Sequence, residues 1–266
     1  MTTVLCVGLT TVDVIHRVAD FPAPGGKVQS ADVRLDVGGP AANAARTIAA
    51  LGHEAILLTA LGDELGDVAR AHLDDVEVHD AGPGGPALST VVVREHDGER
   101  TVVSRNAATF TPTRPFPTAL VDRADTVLLD GHLAPLALAA ARAARSPVLL
   151  DAGSWKPVLA EILPLTHTAA CGAEFPLTAE ELHARGVKVV TRTHGPDPVT
   201  WSTGNVRGEV PVDRVEAHDT NGAGDVWHGA FAVADRADLT AAIIFANTIA
   251  ALRVRGGDWL AEVRRT

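Results

Sequence analysis

Short runs of β-branched and aliphatic residues alternate along this chain with longer alanine-rich stretches, and that alternation constrains the fold more than any other feature. Val4-Leu5-Cys6-Val7-Gly8 reads as a strand that is apolar throughout. Pro40 to Leu51 reads as a helix with proline in its first turn, ended by Gly52. Ala55 to Ala60 is the next strand and Gly66 to Leu73 a helix. Thr126 to Leu129, Val148 to Leu150 and Val187 to Thr191 are further strands, with the helix Pro135 to Arg145 between the first two. Two helices close the chain, Ala223 to Asp235 and Leu239 to Val254. A strand without a polar side must be covered on both faces. Strands of that kind separated by helices predict an α/β fold, a mostly parallel sheet between two helical layers.

Two stretches break the rhythm. Val28 to Val37 and Leu88 to Arg105 alternate apolar and polar residues, with Val33, Leu35 and Val37 in the first. In the second, Val91, Val93, Val102 and Val103 surround a turn at Asp97-Gly98. This period suits antiparallel strands with one wet face. Together with Thr11 to Val18 they predict a small sheet, over about 11–37 and 86–106, inserted as a lid over a ligand site. Ordinary edge strands of the main sheet would give the same pattern. With 266 residues and no linker long enough to separate independent units, residues 1–266 read as one domain carrying that insert.

Charge and cysteine content narrow the function. Acidic residues outnumber basic ones 33 to 23, a net charge of −10, which disfavours nucleic acid and anionic membranes as partners. Cys6 and Cys171 make neither a disulfide framework nor a zinc pattern, and two thiols suit a reducing cytoplasm. No apolar run reaches the ~20 residues of a membrane span, and the amino terminus lacks the character of a secretory signal. The 11 histidines show no i, i+4 pair with carboxylates on a helix, the spacing that would suit a structural metal.

The sharpest segment is Asp219-Thr220-Asn221-Gly222-Ala223-Gly224-Asp225, which runs straight into an apolar helix. Gly222 and Gly224 let the backbone turn with its N–H groups facing one concavity, and the following helix adds its unpaired first amides and positive dipole end. Such a concavity holds an anion. A carboxylate beside it, Asp225, makes sense if it accepts a proton from an attacking hydroxyl while the cradle holds the phosphoryl group under attack. An ordinary helix start with an acidic first turn has the same letters, and the residues alone do not separate the two.

This segment, continued by Gly229-Ala230-Phe231-Ala232, resembles the carboxy-terminal signature of the PfkB, or ribokinase-like, carbohydrate kinases. Gly38-Gly39-Pro40-Ala41-Ala42-Asn43, with Gly52 and Gly62 beyond it, resembles their amino-terminal signature. The resemblance spans essentially the whole chain. It implies a ribokinase-like three-layer α/β/α fold with a mostly parallel central sheet and a small β-sheet lid. It also implies transfer of the ATP γ-phosphoryl group to a hydroxyl of a small sugar or sugar-like substrate, with Mg²⁺. A requirement for a monovalent cation stays open. Asp225 then matches the general base, and Gly222, Ala223 and Gly224 the anion hole. Asp13, Gly38, Gly39 and Asn43 match residues that hold the sugar, and Arg105, Asn106 and His132 fall where substrate contacts tend to lie. On the nucleotide side Thr220, Thr191, Gly195 and Asn247 match ATP contacts. Glu174 matches the residue that holds Mg²⁺ through water, with Cys171 standing where the family carries Asn.

Other readings of the same residues are a nucleoside kinase of this fold and a catalytically inactive sugar- or nucleotide-binding protein. The proposed lid strands hold no Phe, Trp or Tyr to stack a base, which favours a sugar. His228 reads as a helix residue covering the site rather than as a base. A four-stranded lid with one apolar face further predicts a homodimer formed through that face.

Overall fold

A computed structural model describes residues 1–62, 64–105 and 110–266. The strands are β1 (Thr3–Val7), β2 (Thr11–Val18), β3 (Asp32–Gly38), β4 (Glu54–Thr59), β5 (Glu77–Asp80), β6 (Ala87–Arg94), β7 (Arg100–Ser104), β8 (Thr126–Leu129), β9 (Val148–Ala152), β10 (Thr168–Cys171), β11 (Val189–His194), β12 (Asp197–Ser202) and β13 (Arg207–Val210). The helices are α1 (Pro40–Ala50), α2 (Glu64–Arg70), α3 (Thr118–Arg123), α4 (Ala134–Ala143), α5 (Leu159–Ile162), α6 (Ala179–Ala184), α7 (Ala223–Val233), α8 (Leu239–Arg255) and α9 (Trp259–Val263).

The large sheet runs β13-β12-β11-β10-β9-β8-β1-β4-β5. Every pairing from β5 to β11 is parallel, and β12 and β13 close one edge as antiparallel strands. Strand β1 shows why its sequence lacks a polar face. Val4 and Cys6 enter the core beneath α1, α7 and α8, while Leu5 and Val7 enter the core beneath α3 and α4. Successive side chains point to opposite faces, so a strand sandwiched between two helical layers must be apolar at every position.

The smaller sheet has the order β3-β2-β6-β7. Its outer pairs are antiparallel, as the alternation predicts, but the central pair β2·β6 is parallel, with Thr11 to Val18 aligned on Ala87 to Arg94. Period-2 patterning reports which face a residue occupies and carries no information on the direction of its neighbour. One face carries Asp13, Ile15, Ser89, Val91 and Ser104; the other carries Val33, Leu35, Leu88 and Val103.

Two features of this frame position a site. The parallel strands β1, β8, β9 and β10 end at one side of the large sheet, and ligands of open α/β sheets collect beyond such ends. The two signature segments also meet there, because α1 packs directly on α7. A Cβ on Gly229 would lie 2.6 Å from the Ala44 carbonyl oxygen and 3.0 Å from Thr47, so the two helices touch backbone to backbone. Among the described residues no helix is long and apolar enough to cross a membrane.

Candidate active site

The site is built around the start of α7. Gly222, the residue before the helix, has φ +72° and ψ 6°, a left-handed conformation that a glycine adopts without a steric penalty. Asp219 braces the loop ahead of it. One of its carboxylate oxygens accepts from the Asn221 backbone at 2.9 Å, the other from Arg253 of α8 at 2.8 Å. Among the described residues no side chain caps α7; the Ala223 N–H makes a long bond to the Thr220 carbonyl at 3.4 Å, and the rest of the first turn lacks a side-chain cap that would compete with a ligand. A Cβ built on Gly224 would meet nothing within 4 Å. Glycine is therefore not required there by any neighbouring protein atom; its lack of a side chain keeps the approach to the amides open.

Asp225, in the first turn of α7, is bonded across 182 residues of sequence: Asn43 Nδ2 donates to its Oδ2 at 2.8 Å. Asn43 comes from α1, whose start is set by Gly39 at φ +94°, with a Cβ there only 2.4 Å from the Leu9 carbonyl oxygen. Burial, reinforced by the charge of Asp151, pushes the Asp225 carboxyl up to about 7, against the pull of the Asn43 bond and of His228. A carboxylate tuned near neutrality is suited to accept a proton and release it again.

Asp13 lies on the face of the smaller sheet that carries Ser89, and is 7% exposed. Burial raises its proton affinity, and hydrogen bonds from Thr11 and Ser89 lower it. Gly38 lies against it: a Cβ there would sit 2.4 Å from Asp13 Oδ2. The smaller sheet also reaches the signature loop, since Arg100 of β7 donates to Thr220 Oγ1 at 2.8 Å. Arg105 is exposed just beyond β7, and Asn106 lies outside the described residues. His132 follows β8; burial lowers its proton affinity, while Asp130 and Asp151 raise it.

A cavity of about 520 Å³ opens from the α7 amino terminus. Thr220, Ala223 and Gly224 line one end; Val199, Val212, Trp227 and Ala250 give it apolar walls. Gly195 and Asn247 line it as well, but the Asn247 amide is engaged, accepting from Trp227 Nε1 at 2.8 Å and donating to the Pro211 carbonyl at 3.3 Å. Thr191 is wholly buried within β11 and does not line the cavity; Thr193, two residues on, does. The Cys171 thiol is buried in the apolar core, where burial pushes it up to about 12, so it remains protonated. Glu174 is exposed in the turn after β10.

Asp36 and Asp151 escape notice in the sequence; Asp130 reads there only as the residue that ends an apolar strand before His132, and His228 only as cover for the site. Asp130, after β8, is 1% exposed and accepts from the backbone N–H groups of Leu9 at 2.7 Å, His132 at 2.8 Å and Ala41 at 3.3 Å, tying β1, β8 and α1 together at the rim. Asp36 pairs with Asp13 across β2·β3 and lies 3.7 Å from Arg46. Asp151 lies at the end of the apolar strand β9, 3.1 Å from His228 Nδ1. A carboxylate continuing an apolar run, as in Val148-Leu149-Leu150-Asp151, is the one signal that marked it in advance.

The profile described as pfkB family carbohydrate kinase matches residues 1–175 and 176–258. A ribokinase from Bacillus subtilis is 26% identical, over 96% of this chain and 93% of its own length. Among solved structures, a ribokinase from Thermotoga maritima superposes with a TM-score of 0.88 at 22% identity, covering 100% of this chain and 98% of that one. An Arabidopsis thaliana ribokinase complexed with ribose and ATP gives 0.79 at 21% identity, covering 100% and 99%. A nucleoside kinase from Methanocaldococcus jannaschii gives 0.78 at 20% identity, covering 100% and 98%. The fold is thus ribokinase-like, and the chain belongs to the pfkB family of carbohydrate kinases, phosphotransferases with an alcohol group as acceptor.

Proposed function

We propose that this kinase transfers the γ-phosphoryl group of ATP to a hydroxyl of a small sugar or sugar-like molecule. The observation that carries the reading is the Asn43–Asp225 bond: it joins the two signature segments beside uncapped helix amides that open into the nucleotide-sized cavity. The sugar lies between the smaller sheet and the body, with Asp13 and Asn43 on its hydroxyls. Asp225 takes the proton from the attacking hydroxyl as the oxygen–phosphorus bond forms and the bond to the leaving ADP breaks. The amides of Gly222, Ala223 and Gly224 hold the charge on the transferred group.

The cavity fits an adenine nucleotide, with apolar walls for a base and backbone donors at the phosphate end. For Mg²⁺, the exposed Glu174 carboxylate supplies a hard oxygen that suits a hydrated cation, whereas the protonated Cys171 thiol offers no ligand. Bound there, the ion would neutralise phosphate charge. The smaller sheet acts as a lid: Arg100 already touches the signature loop, and closure would keep water from the phosphoryl group. The sheet residues around Asp13 include Ile15, Arg34, Asp36, Ser89, Val91 and Ser104, none with an aromatic ring to stack a base, which favours a sugar over a nucleoside. The opposite face leaves Val33, Leu35, Leu88 and Val103 exposed, and pairing of two chains through that face would cover them.

The test is ATP consumption with Mg²⁺ over a panel of ketoses, aldoses, sugar acids and nucleosides, with Asp225→Asn alongside. Turnover confined to one sugar class and lost in the variant is the expected result. Turnover with nucleosides alone, or none with ATP still bound, overturns the reading.

A further inference from the structure

The mechanism above uses Asp225 and leaves unused the two buried ionisable groups beside it. His228 follows Asp225 by three residues on α7, so both side chains face the same side of the helix. It is 5% exposed, and its Nδ1 lies 3.1 Å from Asp151 Oδ2 on β9, itself 5% exposed. The oxygen atoms of Asp151 and Asp225 and the ring nitrogen of His228 all lie within 4.8 Å of one another. Among the described residues neither ring nitrogen meets strict hydrogen-bond geometry, so the 3.1 Å approach to Asp151 acts chiefly through charge.

Two carboxylates this close in a buried site cannot both ionise without a compensating charge. Around Asp225, α1 contributes neutral Asn43, β9 contributes Asp151, and the turn after β8 contributes Asp130. Lys156 and His132 act on Asp151. On α7 itself the group that opposes the negative field at Asp225 is His228.

We propose that His228, anchored by Asp151, is a positioning residue for the general base: its imidazolium lies within 4.8 Å of both carboxylates and keeps Asp225 unprotonated when the sugar hydroxyl arrives. The proposal rests on Asp225 being the base. It differs from the sequence reading, in which His228 merely covers the site. The directions agree with it: although burial opposes charge on the ring, Asp151 and Asp225 raise the proton affinity of His228, and His228 in turn lowers that of Asp151 despite its burial.

The experiment compares pH profiles of kcat for wild type, His228→Asn, Asp151→Asn and the double variant. In His228→Asn the acid limb is expected to move up by about one pH unit, a roughly fivefold loss at pH 7 that approaches tenfold at lower pH and is recovered at pH 9, with KM for sugar and ATP unchanged. Asp151→Asn moves the limb the other way, and the double variant returns it toward wild type. A structural role would instead lower kcat by the same factor at every pH, and that result overturns the proposal. A second readout needs no turnover: the His228 ring proton, assigned by its loss in His228→Gln, is followed by NMR titration. Its midpoint should fall in Asp151→Asn and in Asp225→Asn; a midpoint indifferent to both overturns the proposal. Turnover that survives in Asp225→Asn would instead sink the base assignment on which it rests.

Discussion

Replacing Asp225, the proposed base, should make the protein more stable while abolishing turnover, and the gain should depend on pH. The Asp225 carboxyl rises from an ordinary 3.8 to about 7 because it is buried beside Asp151. The folded chain therefore holds this proton more tightly than the unfolded chain. That contribution favours folding at low pH and is lost as the pH rises through about 7. At about 1.4 kcal/mol per pH unit, ionised Asp225 opposes folding by at most about 4 kcal/mol at pH 8. Near pH 5, where the folded group is protonated, the opposition falls by more than half. Asn in its place keeps the shape, can still accept from Asn43 through its carbonyl, and has no charge to bury. Guanidinium unfolding of wild type and Asp225→Asn at pH 8 and pH 5 measures the difference. The expected outcome is a variant more stable at pH 8, by up to several degrees in a thermal scan, with the advantage shrinking by more than half at pH 5. A variant equally stable or less stable at pH 8, or one whose advantage ignores pH, refutes the electrostatic reasoning.

Gly222→Ala places a methyl 2.9 Å from Asn43 Nδ2 and a side chain at φ +72°, so kcat should fall by about 10²-fold with the fold intact, checked by circular dichroism beside initial rates. Gly229→Ala pushes α7 against the Ala44 carbonyl and should destabilise by about 1–3 kcal/mol in urea unfolding while also lowering kcat, because Asn43 rides on the displaced helix. Val103→Asp, at a side chain 71% exposed on the outer face of the smaller sheet, should leave the unfolding midpoint unchanged and convert a dimer to a monomer in sedimentation velocity; a wild type already monomeric at micromolar concentration removes the dimer proposal.

The regions of this fold that were legible in the sequence are those in which one residue pattern has one physical cause. The uninterrupted apolar run at β1 requires cover on both faces, and both faces are covered. The strands β12 and β13 were missed because they form a sheet edge, where Asp197, Thr200, Arg207 and Glu209 face water and leave no hydrophobic period to read. The parallel pairing of β2 with β6 was equally out of reach, since side-chain alternation is the same for either direction. The start of α7 with its glycines and Asp225 was readable because a helix start is a local event, complete within seven residues. Asp151 was not, because its meaning depends on what β9 is packed against.

That dependence explains why the trio of Asp151, Asp225 and His228 needs the tertiary fold. Asp225 and His228 are fixed relative to each other by one turn of α7, which any helical sequence would supply. Asn43 and Asp151 reach them from α1 and β9, and both approaches require α7 to sit unusually close to its neighbours. Gly229 permits this on the α1 side, where even one methyl would collide with the Ala44 carbonyl. The run of buried alanines at 41, 42, 44 and 45 keeps the opposing surface equally low. Larger residues at these positions would bury more apolar area and pack just as well against a more distant helix. They would also move Asn43 beyond the 2.8 Å at which it bonds Asp225. The small residues of α1 and α7 therefore set where Asn43 meets Asp225, the proposed base, and a substitution that fills this contact should reduce turnover before it unfolds the chain.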